Sequence, residues 1–146
     1  MPTRILVVSA KGGIGRSTTA CLMSTALAEV GHDVGVLDLD PQGNVSTSFG
    51  IPKSALERTV YDLIMNDLGE DLPLVSDYLI GPEIITDFMH EAWRQTNPDK
   101  KPPRTMGVKN LWLLPSNVQL AAAEITNVDI QIPALQIVET ACTPPQ

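Results

Sequence analysis

The chain has 146 residues, 43% of them hydrophobic and 18% charged, which predicts one ordinary domain over residues 1–146 and excludes wholesale disorder. The formal net charge of −7 argues against direct nucleic-acid binding by this chain alone, because proteins that neutralise phosphates are normally basic. Two cysteines exclude a disulfide scaffold. With no secretory leader pattern and no apolar run near the ~20 residues of a membrane helix, we expect a cytoplasmic protein without a membrane role.

The first third of the chain predicts a strand–helix–strand unit. Residues 5–8 form a short, β-branched apolar run that is typical of a strand buried in a parallel sheet. A glycine-rich turn follows, and a helical pattern then covers residues 17–30. A second strand run, Val34–Leu37, ends in two aspartates, Asp38 and Asp40. The crossover between the two strands should be right-handed.

The later segments alternate in the same way. Ser54 and Glu57 fit a capping box and predict a helix within residues 55–66. Pro82 should open a further helix. Its inward-facing side chains are predicted to be Ile84, Ile85, Phe88 and Met89. The remaining elements are a polar, proline-rich loop over residues 95–107, a third buried strand over Leu111–Leu114 and a helix over residues 116–127.

The glycine-rich turn has the composition of a phosphate-binding loop. Gly12, Gly13 and Gly15 allow the backbone to wrap closely around an anion, and the helix that follows offers free N–H groups and a positive dipole end. A hydroxyl in the first helical turn, here that of Ser17, can ligate Mg²⁺. A turn that binds no ligand is the alternative. The order strand, turn, helix, strand, acidic turn favours a phosphate site.

Two motifs carry a family resemblance. Residues 11–19 read Lys-Gly-Gly-Ile-Gly-Arg-Ser-Thr-Thr and resemble the deviant Walker A motif of ParA/MinD-type ATPases. Residues 36–44 resemble the second signature of that family, and Asp-Pro-Gln at 40–42 is typical of its ParA partitioning branch. Weaker similarity continues in patches to about residue 125. The resemblance implies an α/β, P-loop NTPase-like fold of three αβα layers with a mostly parallel sheet, incomplete at its C-terminal side.

The resemblance also implies a set of site residues. ATP would be held by Lys11, Gly12, Gly13, Ile14, Gly15, Arg16, Ser17 and Thr18. Mg²⁺ would be held by Ser17, Asp38 and Asp40. Two of these residues would be catalytic: Lys11 reaches across a dimer to the nucleotide of the partner, and Asp40 positions the attacking water. A simple turn cap is the alternative role for Asp38.

The family resemblance further implies partners and a cellular role. The protein would form an ATP-dependent homodimer and act in plasmid or chromosome partitioning with a ParB-like partner that stimulates ATP hydrolysis. Non-specific DNA binding by the ATP-bound dimer belongs to the family, but the acidic balance of this chain does not support it.

The sequence departs from the family pattern at Arg16 and after Ile125. Arginine stands where the Walker lysine is expected, and its planar head is wider than the lysine stem. Three interpretations stay open: a tolerated variant with weak hydrolysis, a non-hydrolysing nucleotide- or partner-binding module, and an inactive copy. No Walker B strand is visible in residues 125–146, so we expect the N-terminal half of such an ATPase, marginally stable or self-associating on its own.

Overall fold

The computed structural model describes residues 3–8, 13, 15–66 and 74–125. In chain order the elements are α1 (Arg16–Glu29), β1 (Val34–Leu37), α2 (Asn44–Ser48), α3 (Val60–Asn66), α4 (Pro82–Thr96), β2 (Leu111–Leu114) and α5 (Leu120–Ile125). Short 3₁₀ turns cover Lys53–Ala55 and Val75–Tyr78. The helix predicted over 17–30 and both strands at 34–37 and 111–114 are confirmed, and the fold is α/β as expected.

The described sheet consists of β1 and β2, which run parallel. Val34 lies opposite Leu111, and Leu37 lies opposite Leu114. Both strands therefore end at the same edge of the sheet, where parallel α/β sheets present their ligand-binding loops. The pairing continues one residue further, because the Asp38 N–H donates to the Leu114 carbonyl oxygen at 3.1 Å.

Strand β2 separates two apolar clusters. Its side chains alternate between the two faces of the sheet, so Leu111 and Leu113 point one way and Leu114 the other. The first cluster joins Leu111 and Leu113 to residues of α1, α2 and α4. The second joins Leu114 to residues of α3 and α5. Helices thus cover the sheet on both faces, which agrees with the layered arrangement expected from the sequence.

The prediction of a buried strand at residues 5–8 is wrong for the described structure. Residues 3–8 are described but carry no strand, and Ile5, Leu6 and Val8 are 56%, 80% and 73% exposed. An apolar, β-branched run forms a strand only where a neighbouring strand supplies hydrogen bonds and helices cover its faces. Neither described strand pairs with this segment.

The predicted helix within 55–66 exists, but it begins later than the sequence signal suggested. Ser54 lies in a 3₁₀ turn, whereas α3 starts at Val60. The side chain that reaches back to the start of this helix is that of Asp62: the Thr59 N–H and the Thr59 hydroxyl each donate to Asp62 Oδ2 at 2.8 Å. The same spacing of three residues occurs at both places in the sequence, so composition alone did not choose between them.

Removing the observed cap should destabilise the fold. We expect Thr59→Ala to lower the free energy of unfolding by about 1 kcal/mol, because the hydrogen bond from the buried Thr59 hydroxyl to the Asp62 carboxylate is lost. Ser54→Ala is the matched control and should change it by less than about 0.5 kcal/mol. Urea unfolding of both variants measures the difference. Equal losses would show that Ser54 also caps a helix in solution.

The later helices follow their predictions with two corrections. Helix α4 opens at Pro82 as expected, with Ile85 fully buried and Phe88 and Met89 packed against the core. Ile84 was predicted to face inward and is instead 52% exposed, because it is rotated by about 100° from the fully buried Ile85 and lies at the edge of the buried stripe. Helix α5 begins at Leu120 and not at 116, since the Asn117 side chain accepts the Gln119 N–H in a turn first. The predicted end of α5 lies outside the described residues.

Candidate functional site

The N-terminus of α1 follows two glycines in left-handed conformation. Gly13 has φ 77° and Gly15, the residue before the helix, has φ 83°. Residues with a side chain rarely adopt these backbone angles, so this left-handed conformation favours glycine at both positions. The Thr19 N–H donates to the Gly15 carbonyl oxygen at 2.8 Å and closes the first helical turn. Lys11, Gly12 and Ile14 lie outside the described residues.

The first turn of α1 is suited to an anion. It contains no acidic side chain, and its N-cap residue, Gly15, has no side chain that could cap its N–H groups. Ser17 is half-buried and Thr18 is exposed, both within this turn as the sequence predicted. The first N–H groups of a helix have no partner within the helix, and next to hydroxyls and a cation they are a common arrangement for holding phosphate.

Asp38 anchors the loop that follows β1. Its side chain is only 4% exposed, and its two oxygens accept hydrogen bonds from the Asp40 N–H at 3.0 Å and from the Val45 N–H at 3.3 Å. Burial raises the pKa of the Asp38 carboxyl, and the two backbone hydrogen bonds oppose that rise. The observed contacts are those of a turn cap, which the sequence had left as the alternative to a metal ligand.

The raised pKa of Asp38 gives a pH dependence of stability. The pKa of this carboxyl is higher in the folded chain than its ordinary value of 3.8, so the folded state binds the proton more tightly than the unfolded state does. The free energy of unfolding therefore falls as the pH rises above 3.8. Asp38→Asn lacks this titration. We expect the unfolding free energy of the wild type, minus that of the variant, to decrease as the pH rises above 3.8 in urea titrations. A difference that is constant with pH would contradict the burial of this carboxyl.

The Asp38 loop is also held against the segment after β2. Gly43 has φ 56°, and a Cβ atom built on it would lie 2.5 Å from the Ser116 carbonyl oxygen. The Gly43 N–H donates to the Asp40 carbonyl oxygen at 2.8 Å, and the Ser46 hydroxyl donates to the Gly43 carbonyl oxygen at 3.0 Å. The sequence analysis did not identify Gly43 or Ser116 as site residues, since a contact between two loops has no local pattern.

One ion pair joins the two sequence motifs. Arg16 Nη2 lies 3.4 Å from Asp40 Oδ2, and the two side chains are 38% and 28% exposed. The other oxygen of Asp40 accepts the Gln42 N–H at 2.9 Å. The structure therefore brings the first turn of α1 and the turn after β1 to one place, at the carboxyl end of the sheet. The sequence predicted that both motifs serve one site, but not that Arg16 and Asp40 would pair.

The described part of the chain lacks two further features. Within residues 3–8, 13, 15–66 and 74–125, no group of three or more His, Cys, Asp or Glu side chains could hold a metal ion by itself. Among the helices described, none has the length and apolar character needed to cross a bilayer.

Comparisons with known proteins agree with this geometry. A family model described as an AAA domain matches residues 3–140. The sporulation initiation inhibitor protein Soj of Bacillus subtilis is 30% identical over 83% of this chain and 36% of its own length. The chromosome partitioning protein ParA of Caulobacter vibrioides is 45% identical over 58% of this chain and 32% of its own length. The chain thus spans about a third of these relatives.

Solved structures show the same fold. A crystal structure of cobyrinic acid a,c-diamide synthase from Mycobacterium smegmatis with a bound ATP analogue and magnesium matches with a TM-score of 0.56 and 28% identity, over 82% of this chain and 36% of that one. A structure of an ATP complex of a Cyanothece McdA variant matches with a TM-score of 0.57 and 19% identity, over 94% of this chain and 41% of that one.

Proposed function

Because the chain belongs to the AAA-domain family, in its ParA/MinD-type branch, we propose that it binds Mg-ATP between the first turn of α1 and Asp40. The observation that carries this proposal is the convergence of Arg16 and Asp40 at the carboxyl end of the parallel strands. The bound ATP analogue and magnesium in a related solved structure support the choice of ligand.

The residues at this site fit ATP. The left-handed Gly13 and Gly15 leave open space where side chains would stand, and the uncapped start of α1 can donate to phosphate oxygens. Arg16 supplies a permanent positive charge that can contact phosphate with two N–H groups. The Thr18 hydroxyl, exposed in the same turn, can donate to a further phosphate oxygen.

The residues also fit Mg²⁺, which prefers oxygen ligands and keeps several of its waters. Ser17 offers its hydroxyl directly, and Asp40 offers carboxylate oxygens directly or through a water. Asp38 is less available, because both its oxygens already accept backbone N–H groups. When bound, the cation would neutralise charge on the phosphates. In the proposed hydrolysis, the Asp40 carboxylate orients a water by accepting its hydrogen bond.

The remaining parts of the proposal concern the assembled protein. Lys11 would act across an ATP-dependent homodimer on the nucleotide bound by the partner subunit, and a ParB-like protein would stimulate hydrolysis. By this proposal the chain serves plasmid or chromosome partitioning in the cytoplasm. The names of the Caulobacter relative and of Soj support this class of role. Residues 1–146 are proposed to form one nucleotide-binding domain.

A second candidate function is nucleotide or partner binding without turnover. The ion pair itself favours it, because the arginine at the lysine position contacts the same carboxylate that should orient the water. If that contact persists with nucleotide bound, Asp40 is held away from the water and hydrolysis does not occur.

An ATP hydrolysis assay separates the two candidates. If the chain is an ATPase, Asp40→Ala and Lys11→Ala should each reduce phosphate release to background, since one loses the water-orienting carboxylate and the other the charge in trans. Glu91→Ala, on the exposed face of α4, is the control and should leave the rate unchanged. A rate that survives both Asp40→Ala and Lys11→Ala would overturn the proposed enzyme.

A further inference from the structure

The guanidinium of Arg16, which the proposed function assigns to phosphate binding, is paired with Asp40 in this structure. We infer that this ion pair is a latch: the phosphates of the nucleotide must take Arg16 from Asp40, and in doing so they release one carboxylate oxygen for Mg²⁺ or its water. The inference rests on the proposed function and adds a coupling between the two ligands. Without nucleotide, the Arg16 guanidinium pairs with Asp40 Oδ2 and keeps that oxygen from binding Mg²⁺.

The geometry of the ion pair favours the replacement of Asp40 by phosphate as the partner of Arg16. The Nη2–Oδ2 distance of 3.4 Å is long for a charge-assisted hydrogen bond, which is normally about 2.7–2.9 Å. Both side chains are partly exposed, so water and ligands reach the pair. Such ion pairs contribute about 0–1 kcal/mol. A phosphate that contacts the guanidinium with two oxygens can displace a single carboxylate oxygen.

The opposite side of Asp40 is fixed by other bonds. Oδ1 accepts the Gln42 N–H at 2.9 Å, and the Asp40 N–H donates to buried Asp38 at 3.0 Å. The Asp40 carbonyl oxygen accepts the Gly43 N–H at 2.8 Å. None of these bonds involves Arg16, so opening the ion pair frees Oδ2 while the backbone of the loop keeps its position. The latch is therefore a change of partner at one oxygen and needs no movement of the loop.

The latch predicts opposite effects of one substitution in two buffers. Asp40→Asn keeps the size of the side chain and its oxygen for the Gln42 N–H, but it removes the competing charge. In EDTA, titration calorimetry should show ATP binding to Asp40→Asn about two- to fivefold tighter than to the wild type. In excess Mg²⁺ the gain should disappear or reverse, because the released carboxylate is then missing. Asp40→Asn binding no tighter than the wild type in EDTA would overturn the latch.

A second background separates the latch from a general effect of removing negative charge. Lysine at position 16 keeps a cation for phosphate, but its ammonium lies near where the guanidinium carbon of arginine stands and stops short of Asp40. With Arg16→Lys, the additional change Asp40→Asn should therefore give little further gain in EDTA. An equal gain in both backgrounds would mean that only long-range repulsion was removed, and would overturn the latch.

The chain offers a matched ion pair as control. Arg94 Nη1 and Glu91 Oε2 lie 3.3 Å apart on α4, and Glu91→Gln breaks that pair without touching the site. It should leave ATP affinity unchanged in both buffers, and a gain equal to that of Asp40→Asn would count against the latch. A folded wild type that binds ATP in neither buffer would overturn the proposed function itself. Wild-type binding in Mg²⁺ without the expected gain in EDTA overturns the latch alone.

Discussion

Gly43→Ala should be the most destabilising of the glycine-to-alanine changes in the described structure. The residue has φ 56°, which costs a non-glycine residue roughly 1–2 kcal/mol. A Cβ at this position also lies 2.5 Å from the Ser116 carbonyl oxygen, and relieving that overlap requires the backbone to shift. Together we expect the free energy of unfolding to fall by about 3 kcal/mol in urea titrations.

Two other glycines separate the causes of that loss. Gly31 has φ 94° with open space around its Cβ position, so Gly31→Ala tests the backbone conformation alone and should cost about 1 kcal/mol. Gly35 lies in β1 with open space and no left-handed φ, so Gly35→Ala should be within about 0.5 kcal/mol of the wild type or slightly stabilising. If Gly43→Ala costs no more than Gly31→Ala, the loops after β1 and β2 are not in contact as described.

Arg16→Gln should have the largest effect on ligand binding. It replaces the one cation described in the first turn of α1 with a shorter, neutral side chain. Hydrogen bonds to charged groups contribute about 1.5–3 kcal/mol each, so losing two contacts to phosphate should weaken Mg-ATP binding by at least about 100-fold. Equilibrium titration with Mg-ATP measures the loss.

The control for Arg16→Gln is an arginine-to-glutamine substitution on helix α4, away from the proposed site. Arg94→Gln removes a surface guanidinium from α4 with the same change in net charge, and it should leave Mg-ATP affinity unchanged. Circular dichroism should show that both variants are folded. If Arg16→Gln binds Mg-ATP as tightly as the wild type, the phosphates do not contact the start of α1.

Local patterns were sufficient for much of this fold. The apolar runs at Val34–Leu37 and Leu111–Leu114 are short, β-branched or leucine-rich, and bounded by turn residues, so they read as strands without knowledge of their partners. Helix α4 was predicted to open at Pro82 because the fixed φ of proline suits the first helical position. In these segments the local preference and the tertiary packing agree.

Predictions failed where the outcome depended on distant parts of the chain. Residues 5–8 have the composition of a strand, but composition does not supply the neighbouring strand that pairing needs. Ser54 and Thr59 are equally good signals for the start of a helix. The helix starts after Thr59, where the next residue, Val60, donates its N–H to the Pro115 carbonyl oxygen at 2.8 Å. That bond joins residues far apart in sequence.

The candidate site shows the same division. Its residue types followed from the glycine spacing and from the acidic turn after β1, and the family resemblance gave them roles. Two contacts could not be predicted from a local pattern, because each joins segments that are far apart in sequence. They are the Arg16–Asp40 ion pair and the Gly43–Ser116 contact. The ion pair joins the two sequence motifs, and the Gly43–Ser116 contact holds the second motif against the segment after β2.

We propose that the start of α1 and Asp40 form a Mg-ATP site with arginine in the lysine position. Titration calorimetry of the wild-type chain with ATP and Mg²⁺, beside Arg16→Lys, tests it most directly. We expect saturable binding of one ATP per chain that strengthens when Mg²⁺ is added. Binding by Arg16→Lys but not by the folded wild type would show that arginine blocks the site, and binding by neither would contradict the site altogether.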